Sequence, residues 1–192
     1  MREYNVYEDM ASRAGGGIYV GVVGPVRTGK STFIKRFMER LVIPNAAEGS
    51  KKVMTDELPQ SAAGRTVMTT EPKFVPDEAA EIALKEGVTA KVRLVDCVGF
   101  AVAGANGFEE DGKPRLVKTP WSKDALPFEK AAELGTEKVI RDHSTIAILV
   151  TTDGSVTDLP REAYERAEER TVKEIKKQKK PFLRNPRKNL KN

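Results

Sequence analysis

No run of about 18 apolar residues occurs along this chain, so no segment predicts a membrane-spanning helix. The opening MREYNVYEDMASRAGGG has no continuous apolar stretch of the kind that makes a secretory signal. One cysteine, Cys97, excludes an intramolecular disulfide and points to a reducing compartment, with the cytoplasm as the default. One histidine, His143, has no cysteine or second histidine to form a metal-binding set, and a capping or exposed role suits it better. Internal repeats are absent as well. A soluble cytoplasmic protein with one α/β core is the expectation for 192 residues of which 39% are hydrophobic.

The net charge of +5 is unevenly spread. Thr171 to Asn192 holds nine of the 33 basic residues and one of the 28 acidic ones, so the body before it carries 24 basic against 27 acidic side chains. A basic end of this kind attracts phosphate backbones or anionic lipid, but chain ends are often Lys-rich for solubility alone. The solvated reading is preferred, and no nucleic-acid partner is expected.

Ile18 to Val23, IYVGVV, suits a buried parallel strand and runs into the turn GPVRTG. A helix follows from Ser31 to Leu41, where Phe33, Ile34, Phe37, Met38 and Leu41 recur at three- and four-residue steps, and Pro44 is expected to stop it. Asn45 to Thr70 shows no sustained period and reads as a long connecting loop, a candidate lid or switch. Lys73 to Leu84 and Val88 to Val98 read as an antiparallel pair joined around Glu86-Gly87, with a short helix over AEIALKEG as the competing reading. Gly104 to Pro127 is irregular and expected to cover the nucleotide side. Pro127 to Asp142 has helical spacing weakened by Gly135, STIAILVTT from Ser144 to Thr152 reads as a buried parallel strand, and Asp158 or Pro160 opens a last helix along Tyr164, Ala167, Thr171 and Ile175. This alternation predicts a layered α/β sheet with right-handed crossovers.

Gly24 to Ser31, GPVRTGKS, fits the phosphate-loop pattern of Gly, four residues, Gly, Lys, Ser or Thr, and lies between the strand and helix such a loop requires. Gly24 and Gly29 let the backbone turn so that amides and the helix N-terminus face phosphate oxygens. Lys30 is expected to bridge the outer phosphates, and Ser31 to offer its hydroxyl to Mg2+ accompanying a nucleoside triphosphate. Thr28 and Thr32 complete the nucleotide-binding set. Arg27 either leans over the phosphates or reaches solvent, and the residues leave both open. Asp96, at the end of KVRLVDCVG, is placed to reach the magnesium shell, and Gly99 of DCVG to present its amide to the γ-phosphate. Thr69 and Thr70 are either a switch that closes over magnesium and γ-phosphate or a β-branched pair entering a strand. Buried beside Asp96, Cys97 reads as a small apolar side chain. Trp121 either packs a surface loop or contacts a partner. No Asn or Thr, Lys, any residue, Asp motif for reading guanine occurs, and Phe100 follows Gly99 where a hydrolytic GTPase often has Gln or His, so the water-activating residue is not legible.

In the order GPVRTGKST, DELPQSAAGRTVMTTEPKFVP, RLVDCVGF and STIAILVTTDGS, the chain resembles the N-terminal ATPase domain of the stage IV sporulation protein A family, spore-coat morphogenetic ATPases of endospore-forming bacteria. The likeness runs from about Tyr4 to Pro181, with Asp56 to Pro76 its most specific part. It implies a P-loop three-layer sandwich of translation-factor GTPase type that has exchanged guanine for adenine. ATP hydrolysis would drive self-association into a polymer around the forespore, in the mother-cell cytoplasm. By position it implies nucleotide binding by Lys30, hydrolysis-sensing by Thr69 and Thr70, and an acidic metal role for Asp96. Family members continue with further strands and with domains that contact a small membrane-bound anchoring protein and other coat proteins. The expectation is therefore a lead-in over 1–17, an ATPase domain over 18–180 lacking the C-terminal part of its sheet, and a basic, disordered tail over 181–192. The alternatives to an ATPase are a nucleotide-binding assembly module with little turnover and a GTP-binding switch.

Overall fold

The computed structural model describes residues 17–59, 70–85, 88–105, 107–110, 112–155 and 159–178. The lead-in over 1–16, Thr69, the Glu86-Gly87 joint, Asp158 and the tail over 181–192 lie outside the described residues.

The chain enters on β1, Gly17–Val23, whose Val- and Ile-rich run is buried on both faces, as a central strand must be. After the glycine turn comes α1, Lys30–Phe37, which continues as a π turn at Met38–Val42 and a 3-10 turn at Ile43–Asn45. Pro44 does not stop this path. It sits at the start of the 3-10 turn, where a missing amide hydrogen costs little. The buried line is Ile34, Met38 and Val42, four residues apart, and Leu41, expected on that line, is 52% exposed.

The stretch expected as loop holds a helix, α2, at Glu48–Asp56. It escapes a periodicity search because only Met54 is buried. A Glu48–Lys51 ion pair and a Thr55 hydroxyl donating to the Lys51 carbonyl support the rest.

β2, Lys73–Lys85, and β3, Val88–Asp96, form the expected antiparallel pair. Over AEIALKEG, helix propensity yields to pairing: Ala80 and Ile82 alternate into the core opposite Val92 and Ala90. Pro76 is tolerated because β2 is the edge strand and its register shifts between Val75 and Ala80. The Gly104 to Pro127 stretch contains two small ribbons. β4 (Glu109–Glu110) pairs with β5 (Lys113–Pro114), and β6 (Leu116–Val117) with β7 (Leu126–Pro127).

α3, Phe128–Asp142, follows as expected, then β8, Ile146–Leu149, and α4, Glu162–Gln178. β8 runs parallel to β1, but the expected burial is not met: Ile146 is 36% exposed and the other three residues are half-buried. The reason is position. With order β2-β3-β1-β8, this apolar run lies at a sheet edge instead of between two strands.

The described core is therefore mixed α/β, a four-stranded sheet with β2 antiparallel and the rest parallel. Val20, Val22, Val92 and Leu94 pack with Ile34, Met38 and Met54 of α1, the π turn and α2. On the other face Val23, Val95 and Phe100 pack with Val139 and Ile140 of α3 and Tyr164 and Ala167 of α4. Each fully buried Val, Ile or Leu contributes about 1.5–3 kcal/mol relative to exposure, so both helical layers are held mainly by apolar area. Arg170 of α4 adds ion pairs to Glu133 and Glu137 of α3 and lies 4.7 Å over the Phe100 ring.

Candidate functional site

Parallel pairing places the C-terminal ends of β1 and β3 side by side, with Val22 opposite Asp96. The two segments leaving these ends are therefore neighbours, and they are zipped together. The Phe100 amide donates to the Gly24 carbonyl at 3.1 Å, and the Val26 amide to the Phe100 carbonyl at 2.9 Å. Phe100 is wholly buried and holds GPVRTGKS against DCVGF. Sequence reasoning assigned it no role; a bulky apolar residue directly after DCVG was the one available signal.

Within the loop, Gly24 has φ 140° and Gly29 φ 86°, both in the region that favours glycine. A side chain at Gly24 would also run into the Val150 carbonyl. Arg27 has φ 62° with an ordinary side chain, a costly conformation that persists only where its surroundings impose it. Its side chain is half-buried, between the two roles left open for it. The Thr28 hydroxyl bonds to the carbonyls of Pro25 and Val150, each at 3.0 Å. Thr32 is exposed on the first turn of α1.

Lys30 is 4% exposed, and its ammonium donates to the Pro25 carbonyl at 2.5 Å. Burial lowers its pKa, a shift that the neighbouring Cys97 and Asp96 side chains oppose. The Ser31 hydroxyl donates to Asp96 Oδ2 at 2.6 Å. The second carboxylate oxygen, Oδ1, is buried without a hydrogen-bond partner. Burial raises the Asp96 pKa, opposed by the Ser31 hydroxyl, by Lys30 and by Lys73. Cys97, buried behind this pair, bonds weakly to the Val22 carbonyl at 3.5 Å, and burial pushes its thiol up to about 11, which keeps it neutral.

A hydroxyl beside a carboxylate oxygen with no partner is a hard-oxygen donor set that fits Mg2+. Among the described residues no cluster of three or more His, Cys, Asp or Glu side chains offers an all-protein metal cage. Magnesium shared between one carboxylate, a hydroxyl and substrate phosphates needs no such cage.

Gly99 has φ 107°, and a Cβ there would come within 2.7 Å of the Lys30 ammonium and press on the Gly24 carbonyl. It thus stands beside the loop and the Lys30 ammonium, which together form a cradle. Its amide, however, is committed elsewhere, donating to the Thr136 hydroxyl of α3 at 3.1 Å. Thr70 is 4% exposed and is seated against α3, its carbonyl beside Gly135. Thr136 and Gly135 were not foreseen as site residues. A Thr on the apolar face of the helix and a Gly in its middle were the signals present.

Outside the cradle, His143 packs edge-on against Phe74 at 5.5 Å between ring centroids. Trp121 flanks Gly135, with the Lys138 ammonium 5.8 Å from its ring.

The family model described as the ATPase domain of stage IV sporulation protein A matches residues 1–187. Stage IV sporulation protein A of Clostridioides difficile (strain 630) is 62% identical over 179 residues, covering 93% of this chain and 36% of that relative. The Bacillus anthracis protein of the same name is 55% identical over 184 residues, 95% of this chain and 37% of the relative. The Bacillus subtilis (strain 168) protein is 53% identical over the same shares. The chain therefore spans a little over a third of the length of these relatives. No solved structure matches. Among the described residues no helix is long and apolar enough to cross a membrane.

Proposed function

The chain belongs to the stage IV sporulation protein A family, matching its ATPase domain, and from that premise we propose that it binds ATP with magnesium at Gly24 to Ser31 and hydrolyses it to ADP and phosphate. The observation that carries this reading is the meeting of Lys30, Ser31, Asp96 and Gly99 at one zipped cradle. The sheet order, with β2 antiparallel and helices on both faces, supports a P-loop three-layer sandwich of translation-factor GTPase type.

In this reading the amides of Thr28 to Thr32 and the N-terminus of α1 receive the phosphate chain. Lys30 exchanges the Pro25 carbonyl for outer phosphate oxygens, whose charge opposes the lowering of its pKa by burial. Ser31 and Asp96 would hold magnesium, which would neutralise charge on the phosphate oxygens. Water is the nucleophile, and Thr70, with Thr69 beside it in sequence, senses the γ-phosphate. For the whole protein, the family resemblance supports coupling of hydrolysis to self-association in a coat layer. It also supports contact with a small membrane-bound anchoring protein and other coat proteins, at the forespore surface within the mother-cell cytoplasm.

Phosphate release by the purified chain, with and without magnesium, tests the reaction; competition of ATP and GTP for a fluorescent nucleotide tests the base. Magnesium-dependent release and a preference for ATP are expected. Binding without release would assign a nucleotide-dependent assembly module, and a clear GTP preference would overturn the adenine part.

A further inference from the structure

The Gly99 and Thr70 segments rest on consecutive residues of one helix. At Thr136 the hydroxyl hydrogen goes to the Ala132 carbonyl at 2.8 Å, so its oxygen lone pairs are left to accept, and the Gly99 amide donates to them at 3.1 Å. Thr136 is fully buried, so water does not replace this bond. One residue earlier, a Cβ on Gly135 would lie 2.6 Å from the Thr70 carbonyl, and only a residue without a side chain lets that carbonyl approach. Trp121 closes the side of the same seat, its ring edge 3.6 Å from that Cβ position. α3 is itself braced by Arg170 through Glu133 and Glu137, on the turns before and around the seat.

An amide has one hydrogen. While that of Gly99 points at Thr136 it is not available to a phosphate oxygen in the cradle, although the residue stands beside the Lys30 ammonium. We propose that Gly135 and Thr136 form a latch holding the Thr70 and Gly99 segments at rest, and that a nucleoside triphosphate, through its γ-phosphate, competes with the Thr136 hydroxyl for the Gly99 amide. The latch rests on the nucleotide reading above and adds how the site distinguishes triphosphate from diphosphate: only the triphosphate has the group that competes. Thr136 and Gly135 are positioning residues, since neither is placed to touch the nucleotide.

The test measures the affinities of a non-hydrolysable ATP analogue and of ADP for the parent, for Thr136→Val and for Thr136→Ser, each checked for folding by thermal unfolding. Removing the acceptor frees the Gly99 amide, so Thr136→Val raises the ratio of triphosphate to diphosphate affinity about three- to tenfold, the worth of one hydrogen bond. Thr136→Ser keeps the acceptor and the parent ratio. A purely structural role would weaken both nucleotides together. An unchanged ratio in a folded Thr136→Val, or Ser behaving as Val, overturns the latch while leaving nucleotide binding intact. A parent that binds neither nucleotide overturns the binding reading and the latch with it. A second variant is independent of how valine is tolerated: Gly135→Ala displaces the Thr70 carbonyl and changes the emission of Trp121, the one tryptophan in the chain, before any nucleotide is added. Emission identical to the parent's overturns the seat.

Discussion

The two sides of the cradle are held by different kinds of bond. On the loop side, Lys30 and Thr28 bond to the Pro25 carbonyl, five and three residues away, within a loop that Phe100 and the Val150 carbonyl also hold from a distance. On the opposite side, Gly99 is held by Thr136, 37 residues distant, and Thr70 by a close approach to Gly135. Local bonds of the first kind form wherever the loop forms. Contacts of the second kind depend on where α3 sits, and under the proposed latch the Gly99 bond is the one exchanged. In the proposed reading, the difference separates a prebuilt phosphate receptor from segments that respond to what it holds.

The largest effect is expected where the receptor is broken. Lys30→Ala removes the buried ammonium and is expected to lower turnover about 10²- to 10³-fold, the scale of losing one charge-stabilising donor. Phosphate release measures it, and near-parent release would remove the loop from the chemistry. Asp96→Asn comes next, with a loss of about 10- to 100-fold in magnesium-dependent turnover. It carries a second signature. Burial raises the Asp96 pKa above 3.8, so the stability this group contributes is fully present below that value and is lost as pH rises through its folded-state pKa. Asparagine does not ionise. The nucleotide-free variant should therefore melt above the parent at neutral pH, with the gap closing in acid, and thermal unfolding across that range checks the sign.

How much of this was legible in the sequence follows the same division. GPVRTGKS was readable because its spacing, preceding strand and following helix are all local, and β2 and β3 were readable from their alternation and short joint. α2 was not, since a helix that buries only Met54 writes no period into its sequence. β8 was recognised as a strand, but its burial was misjudged because burial depends on which strands lie beside it. Gly135 was seen only as a weak point in a helix, whereas its missing side chain is what admits Thr70. Phe100 and Thr136 act through partners far away in sequence, and a residue type alone does not name such partners.

The smallest effect sharpens the comparison most. Thr70→Ala deletes a hydroxyl but leaves the carbonyl that rests against Gly135, so the seat on α3 and the phosphate loop both survive. If Thr70 belongs to the responding side, losing one hydrogen bond in the transition state lowers kcat by about tenfold or less, because such a bond is worth roughly 0.5–1.5 kcal/mol. Affinity for ADP should then stay within about twofold, since that ligand lacks the group the hydroxyl would sense. Single-turnover phosphate release and nucleotide titration separate the two quantities. The opposite pattern, with both nucleotides weakened equally and kcat unchanged, would place Thr70 with the prebuilt receptor. The division would then run along α3 itself, with Gly99 on Thr136 as the responding contact and Thr70 on Gly135 as part of the wall.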